Sequence, residues 1–152
     1  MKCSAGVPQL LDKCYIDALC MGLVQKPEFY DVVVASNMFG DIISDLAGAV
    51  TGSIGLAPSG NVNPERKFPS MFEPVHGSAP DIAGKNIANP IAAIRSAAML
   101  LDHFGHHEAF KLIEKTVVDV MREGRVLTRD LKGKATTAEA GGYIAQKILE
   151  AK

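Results

Sequence analysis

The 152-residue sequence predicts an α/β fold, and three features of the chain carry that prediction. Residues 30–36 form a short β-branched run, which is typical of a buried parallel strand. Before it, residues 12–17 are a possible short strand and residues 17–24 read as a helix that ends before Pro27. A helix predicted at 38–50 then completes the order strand, helix, strand, helix, as in an α/β sheet.

The middle of the chain, residues 51–89, is punctuated by glycine and proline, and no long helix fits it. Residues 53–56 and 70–75 are short enough to be strands. A structureless stretch of this length is unusual inside a compact domain. We therefore expect short strands together with one or more functional loops.

The last third of the chain is predicted to be helical. Asn89 as N-cap and Pro90 at the first helical position are a strong start signal. A second helix is expected at 107–123, where apolar residues recur at helical spacing. Thr136 and Glu139 form a possible capping box that opens a final helix.

Composition limits the classes of partner. Sixteen basic residues against seventeen acidic ones give a net charge of -1, and no block of like charge stands out. This argues against nucleic acid or a membrane surface as a partner reached by bulk electrostatics. Neither a membrane span nor a signal peptide is expected. Cys3, Cys14 and Cys20 lack a zinc-type spacing, so we expect reduced thiols in a cytoplasmic protein.

Asp41 and Asp45 are the most informative pair of residues. A spacing of four stacks both carboxylates on one face of the predicted helix. Two carboxylates held close repel each other unless a cation lies between them, and oxygen ligands suit Mg²⁺ or Mn²⁺. The alternative is a solvated acidic stripe near a helix start, where the helix dipole favours negative charge.

Residues 73–89 are a dense polar and glycine-rich segment. Its small residues let backbone N–H groups approach a ligand, and His76 offers a flat ring and a hydrogen bond. Asp81 suits ribose hydroxyls and would repel a 2′-phosphate, which favours NAD over NADP. Asn89 could cap a helix and also reach a purine. The alternative is a surface loop rich in turn-forming residues, with His76 in a structural role.

Residues 37–46 (NMFGDIISDL) resemble the signature of the decarboxylating β-hydroxyacid dehydrogenases, the isocitrate/isopropylmalate dehydrogenase family. Residues 73–89 resemble the adenosine loop of that family. Residues 63–66, 68–74 and 85–90 are most similar to its tartrate and D-malate branch. The resemblance implies a partial isocitrate/isopropylmalate dehydrogenase-like fold, with helices packed on an incomplete mixed sheet.

The resemblance also implies residue roles. Asp41 and Asp45 would be metal ligands from one subunit, and Asp17 would be lent across a dimer to the partner's Mg²⁺ or Mn²⁺. Asp130 lies where family members carry a threonine-proline-aspartate-leucine stretch, but Arg129 replaces the proline and Lys132 follows the leucine where glycine is common. The expected NAD-binding residues are Glu73, His76, Gly77, Ser78, Ala79, Asp81, Ile82 and Asn89.

Family members are more than twice as long as this chain, and their catalytic tyrosine, catalytic lysine and substrate arginines lie upstream of the matching part. The resemblance therefore implies a C-terminal portion without catalytic residues of its own. Residues 1–51 would belong to the metal and dimerisation domain, and residues 52–152 to the dinucleotide-binding domain.

The implied activity is oxidation and decarboxylation of a 2-hydroxy dicarboxylic acid of the tartrate, D-malate or 3-isopropylmalate type. We expect this chain to be inactive alone and not to be a monomer. It would pair as a homodimer or with a missing N-terminal polypeptide. The alternatives are a non-catalytic dimerisation or scaffold module and one half of a split enzyme.

Overall fold

A computed structural model describes residues 12–151 of the chain, and Cys3 lies outside this range. Within it, a small two-stranded sheet accompanies the helices. The strands are β1 (Pro58–Asn61) and β2 (Met71–Pro74). The helices are α1 (Ile16–Gln25), α2 (Asn37–Val50), α3 (Ile91–His103), α4 (His107–Glu123) and α5 (Thr137–Glu150).

The first two helices pack on each other. Leu19 and Leu23 of α1 are buried against Ile43 of α2, and Leu46 and Tyr30 pack around them. Gly22 is required at this contact, because a Cβ there would lie 2.0 Å from the hydroxyl of Tyr30. The predicted helices at 17–24 and 38–50 are therefore confirmed, each within one residue at either end.

The strand predicted at residues 30–36 is not formed. These residues lack regular secondary structure, and the side chains of Val32 and Val34 are 84% and 92% exposed. A strand needs a neighbour with which to share its backbone hydrogen bonds, and none of residues 12–151 pairs with this segment. The possible strand at 12–17 is also wrong, since α1 begins at Ile16.

The strand predicted at residues 70–75 is confirmed as β2, and its partner β1 lies just after the other predicted strand. Strands β1 and β2 are antiparallel, with Pro58 opposite Pro74 and Asn61 opposite Met71. Residues 53–56 were predicted as a strand, but Ile54–Leu56 forms a 3-10 turn in which the Ser53 hydroxyl accepts from the Gly55 amide. Helix α3 packs on both strands. The predicted class, helices on an incomplete sheet, is confirmed, and the pairing seen in residues 12–151 is antiparallel only.

The C-terminal helices form a second core, which also takes in the turn at Ile54–Leu56. Its buried members are Leu56, Ile91, Val117, Val120 and Ile144. The predicted helix at 107–123 matches α4, which ends at Gly124 with φ +66°, a conformation that glycine adopts without strain. In α5 both hydrogen bonds of the predicted capping box are present. None of the helices in the described part of the chain is long and apolar enough to cross a membrane.

Candidate functional site

A cleft of about 660 Å³ lies between the loop that follows β2 and the turn at Ile54–Leu56. Glycine and alanine account for six of the lining residues and isoleucine for three. The lining surface is mostly apolar, which is usual for a small-molecule site. The lining residues are Ser53, Ile54, Gly55, His76, Gly77, Ser78, Ala79, Ile82, Ala83, Gly84, Asn86, Ile87, Ala88, Asn89, Asp130 and Thr137.

Most of the predicted NAD-binding residues line this cleft, but two do not. Glu73 is on β2, with its side chain exposed, and Asp81 is exposed on the loop. The residues that the structure brings together are His76, Gly77, Ser78, Ala79, Ile82 and Asn89.

The loop is shaped by consecutive turns. Ala79 has φ +43°, which is uncommon for a residue with a Cβ, and its carbonyl accepts from the Ile82 amide at 3.0 Å. The Lys85 amide then donates to the Ile82 carbonyl at 3.1 Å. These bonds keep Gly77 and Ser78 at the cleft wall without a helix or strand to hold them.

The far end of the loop is bound to the start of α5. The Asn86 carbonyl accepts from the Thr137 amide at 3.0 Å, and its Oδ1 accepts from the Ala138 amide at 3.2 Å. The Thr137 hydroxyl donates to the Ala88 carbonyl at 2.6 Å. Amides at the N-terminus of α5, which have no partner within the helix, are thereby satisfied by the loop.

Asp130 lines the cleft and connects three segments of the chain. Its Oδ2 accepts from the Ser53 hydroxyl at 2.5 Å and from Asn89 Nδ2 at 2.9 Å. Its Oδ1 accepts from the Thr128 hydroxyl at 2.5 Å. Partial burial raises the pKa of this carboxyl, but the hydrogen bonds outweigh burial and the pKa lies below its ordinary value. Asp130 is therefore an ionised acceptor at neutral pH.

Close packing around Gly55 holds this network together. A Cβ at Gly55 would lie 2.9 Å from Asn89 Cβ and 3.2 Å from Asp130 Oδ2. Nothing in the sequence marked Ser53 or Gly55 as site residues, because their partners lie more than thirty positions away. Asp130 was noticed only through its place in a family stretch, and the departures at Arg129 and Lys132 left its role open.

The predicted metal ligands remain apart from this cleft. Asp41 and Asp45 are exposed on α2, one helical turn apart, and Asp17 is exposed at the start of α1. In residues 12–151 no group of three histidine, cysteine, aspartate or glutamate side chains is arranged to hold a metal ion. Two carboxylate donors on one helix face fit a hard divalent ion chemically, yet one copy of the chain offers an incomplete set.

Comparisons with known proteins agree on one family. Residues 4–144 match the isocitrate/isopropylmalate dehydrogenase family. The chain is 55% identical over 143 residues to the Escherichia coli (strain K12) protein named D-malate dehydrogenase [decarboxylating], covering 91% of this chain and 39% of that protein. It is 51% identical over 147 residues to the tartrate dehydrogenase/decarboxylase of Pseudomonas putida, covering 90% and 39%.

A solved structure gives the same result. The crystal structure of isocitrate dehydrogenase from Methylococcus capsulatus aligns with a TM-score of 0.82 and 42% sequence identity. The alignment covers 88% of this chain and 39% of that one. The chain thus spans about two fifths of the length of the curated relatives it matches. It belongs to the isocitrate/isopropylmalate dehydrogenase family.

Proposed function

We propose that this chain supplies the nucleotide cleft and the metal-ligand helix of an NAD- and Mg²⁺- or Mn²⁺-dependent oxidoreductase. The reaction would be oxidation and decarboxylation of a 2-hydroxy dicarboxylic acid of the tartrate, D-malate or 3-isopropylmalate type. One observation carries the proposal: loop residues singled out from the sequence line one cleft together with Ser53 and Asp130.

The cleft suits an adenine nucleotide. Asn89 has a side-chain amide that can meet the polar edge of a purine, and Ile54 and Ile82 offer apolar surface to its faces. Gly77 and Ser78 let a sugar or phosphate approach the backbone. Asp81 is exposed two residues after Ala79, where its carboxylate would accept from ribose hydroxyls and repel a 2′-phosphate. These features favour NAD, with Glu73 flanking the loop.

The metal would be held by Asp41 and Asp45 together with Asp17 of a second copy. The exposed apolar side chains of Phe39 and Ile42 support pairing with a second copy, because they lie on the same helix as the two aspartates. Burying this surface in a homodimer would exclude water from a carboxylate cluster. When bound, NAD would accept a hydride and the divalent ion would act as a Lewis acid toward substrate oxygens.

Two separate hydrophobic cores support a division of the chain at about residue 51. Leu19, Leu23 and Ile43 would belong to the metal and dimerisation domain, residues 1–51. The core around Val120 and Ile144 would belong to the dinucleotide-binding domain, residues 52–152. The catalytic tyrosine and lysine and the substrate-binding arginines would come from polypeptide outside this sequence.

We also propose a reducing, cytoplasmic setting. Cys14 is exposed and Cys20 is half-buried, and both are free thiols in the described part of the chain. Exposed thiols of this kind persist where glutathione and thioredoxin keep cysteine reduced.

A second candidate function is a non-catalytic dimerisation or scaffold module. This function is favoured by exposed apolar side chains, which are typical of a protein-binding surface. They are Val32, Val34, Met38 and Ile42. A split enzyme would use the same surface to bind a separate N-terminal polypeptide.

Activity measured with and without the missing part separates these functions. The purified chain is assayed for NADH production from D-malate and tartrate with Mn²⁺, alone and mixed with a polypeptide that carries the first three fifths of the Escherichia coli relative. We expect no turnover alone and NADH production on mixing. A complex that forms without NADH production would favour the scaffold module instead.

Variants of the chain test the assigned residues in the same assay. Asp41→Asn should abolish activity of the mixture and reduce the heat of Mn²⁺ binding. Asp102→Asn is the matched control, because Asp102 lies outside the cleft and pairs with His107. Equal loss in both variants would contradict the metal assignment.

A further inference from the structure

We infer that Asp130 is a positioning residue whose carboxylate fixes the Asn89 amide in one orientation at the base-binding end of the cleft. The inference rests on the proposed nucleotide-binding function. Sequence similarity alone gave Asp130 no role, and the contacts within the cleft assign this one.

The orientation of Asn89 is determined from both ends of its amide. A carboxylate can only accept, so the group that faces Asp130 Oδ2 at 2.9 Å must be the NH₂ group. A backbone amide can only donate, so the group 3.0 Å from the Ile91 nitrogen must be the carbonyl oxygen. The two contacts agree, and a flipped amide would oppose like groups at both.

Two further hydrogen bonds hold the carboxylate itself. The Ser53 hydroxyl shares Oδ2 with Asn89, and the Thr128 hydroxyl binds Oδ1. Asp130 therefore cannot rotate away without breaking bonds to two other segments. Charge-assisted bonds of this kind are stronger than neutral ones.

A ligand in the cleft would therefore meet one free N–H of the Asn89 side chain. One Nδ2–H of Asn89 is used by Asp130, and the other remains available to the cleft that Asn89 lines. Ring nitrogens of adenine are acceptors that can take it. Asp130 would thus raise affinity for the base while making no contact with sugar or phosphate.

The test compares a probe that has a base with one that lacks it. AMP and ribose 5-phosphate are titrated into the ¹⁵N-labelled 152-residue chain and followed by NMR. For Asp130→Asn we expect AMP to bind about five- to tenfold more weakly, the worth of one hydrogen bond between neutral groups, with ribose 5-phosphate unchanged. The spectrum should also lose a downfield, slowly exchanging Asn89 side-chain proton. Asp102→Asn should change neither.

A double variant separates positioning from folding. Combining Asp130→Asn with Asn89→Asp exchanges donor and acceptor, so the new amide can donate to the new carboxylate while the Ile91 amide keeps its acceptor. Thermal stability should recover toward the wild-type value, whereas AMP binding should stay weak because the side chain at position 89 no longer carries an N–H. AMP binding that recovers with stability would overturn the inference.

Other outcomes have defined meanings. Unchanged AMP affinity in folded Asp130→Asn would overturn the positioning role and leave the nucleotide cleft standing. Equal loss of AMP and ribose 5-phosphate would make Asp130 a structural residue only. A wild-type chain that binds neither probe nor NAD would remove the proposed function and this inference with it.

Discussion

Arg95 on α3 and Glu114 on α4 form a two-pronged ion pair, with Arg95 Nε 2.9 Å from Oε1 and Nη2 2.9 Å from Oε2. Nη1 of the same guanidinium donates to the Leu56 carbonyl at 2.8 Å. One side chain therefore ties two helices to the turn that forms a wall of the cleft. An ionised head on a partly buried helix face must reach water or a partner, and Arg95 reaches partners on two other elements.

Replacing Arg95 should loosen that junction. The Arg95 and Glu114 side chains are 31% and 24% exposed, so Arg95→Met leaves a half-buried carboxylate and the Leu56 carbonyl without their donor. We expect a loss of about 2 kcal/mol in the free energy of unfolding, measured by urea denaturation. Arg95→Met combined with Glu114→Leu should recover part of that loss, because no charge is then left unpaired. A double variant less stable than Arg95→Met would contradict this account.

Gly133 should not tolerate a side chain. A Cβ there would lie 1.8 Å from the Leu127 carbonyl oxygen, within a link where Gly133 and Ala135 amides bind the carbonyls of Thr128 and Leu127. Gly133→Ala should cost about 3 kcal/mol or more, because backbone on both sides must move. The matched control is Gly142→Ala in α5, where the added methyl meets open space and should raise stability by about 0.5–1 kcal/mol. Thermal melts of the two variants should therefore shift in opposite directions.

Gly55→Ala should disturb the cleft more than the fold. The added methyl would press on Asn89 Cβ and on Asp130 Oδ2. We expect weaker binding of AMP, by about tenfold, together with a stability loss of about 1–2 kcal/mol, since small insertions into packed sites force local shifts. Calorimetric titration with AMP checks the first expectation. Wild-type affinity in Gly55→Ala would mean that the Ser53–Asp130–Asn89 cluster is not part of the nucleotide site.

Acid should weaken the hydrogen bonds that the Asp130 carboxylate accepts from Ser53, Asn89 and Thr128. Burial raises the pKa of Asp130, yet the bonds from Ser53, Thr128 and Asn89 lower it further, so the folded-state value lies below the ordinary 3.8. A carboxyl of this kind contributes its full stability above the unfolded-state pKa and loses it as the pH falls through the folded-state pKa.

The matching measurement is the free energy of unfolding between pH 6 and pH 2, an interval of about two units on either side of the ordinary carboxyl pKa. Asp130→Asn should be less stable than wild type near pH 6, and the two curves should converge as the carboxyl protonates. Curves that stay parallel over the whole range would show that Asp130 does not titrate with the fold.

Local signals explain which predictions succeeded. The capping box of Thr136 and Glu139 and the helix stop at Gly124 depend on neighbours within a few residues, so the sequence is sufficient to locate them. Helix α3 begins at Ile91, one residue after the predicted start at Pro90, and Asn89 Oδ1 accepts from the Ile91 amide. The sequence could also single out the loop around His76 as a candidate ligand-binding segment, because its glycine and other small residues are contiguous.

Long-range partners explain the failures. Residues 30–36 have the composition of a buried strand, but strand formation depends on a neighbouring strand that residues 12–151 do not supply. Ser53 and Asp130 are 77 positions apart, and no local sequence pattern predicts their contact. The sequence also could not reveal that Asp81 and Glu73 stay outside the cleft lining, since neighbouring loop residues differ only in which way they face.

The exposed valines of residues 30–36 also affect how readily the purified chain is cleaved or aggregates. An extended segment with apolar side chains is what a protease groove accepts and what a growing aggregate recruits. Limited digestion should therefore nick the chain between α1 and α2 first, and a genuine binding partner should shield that bond from cleavage.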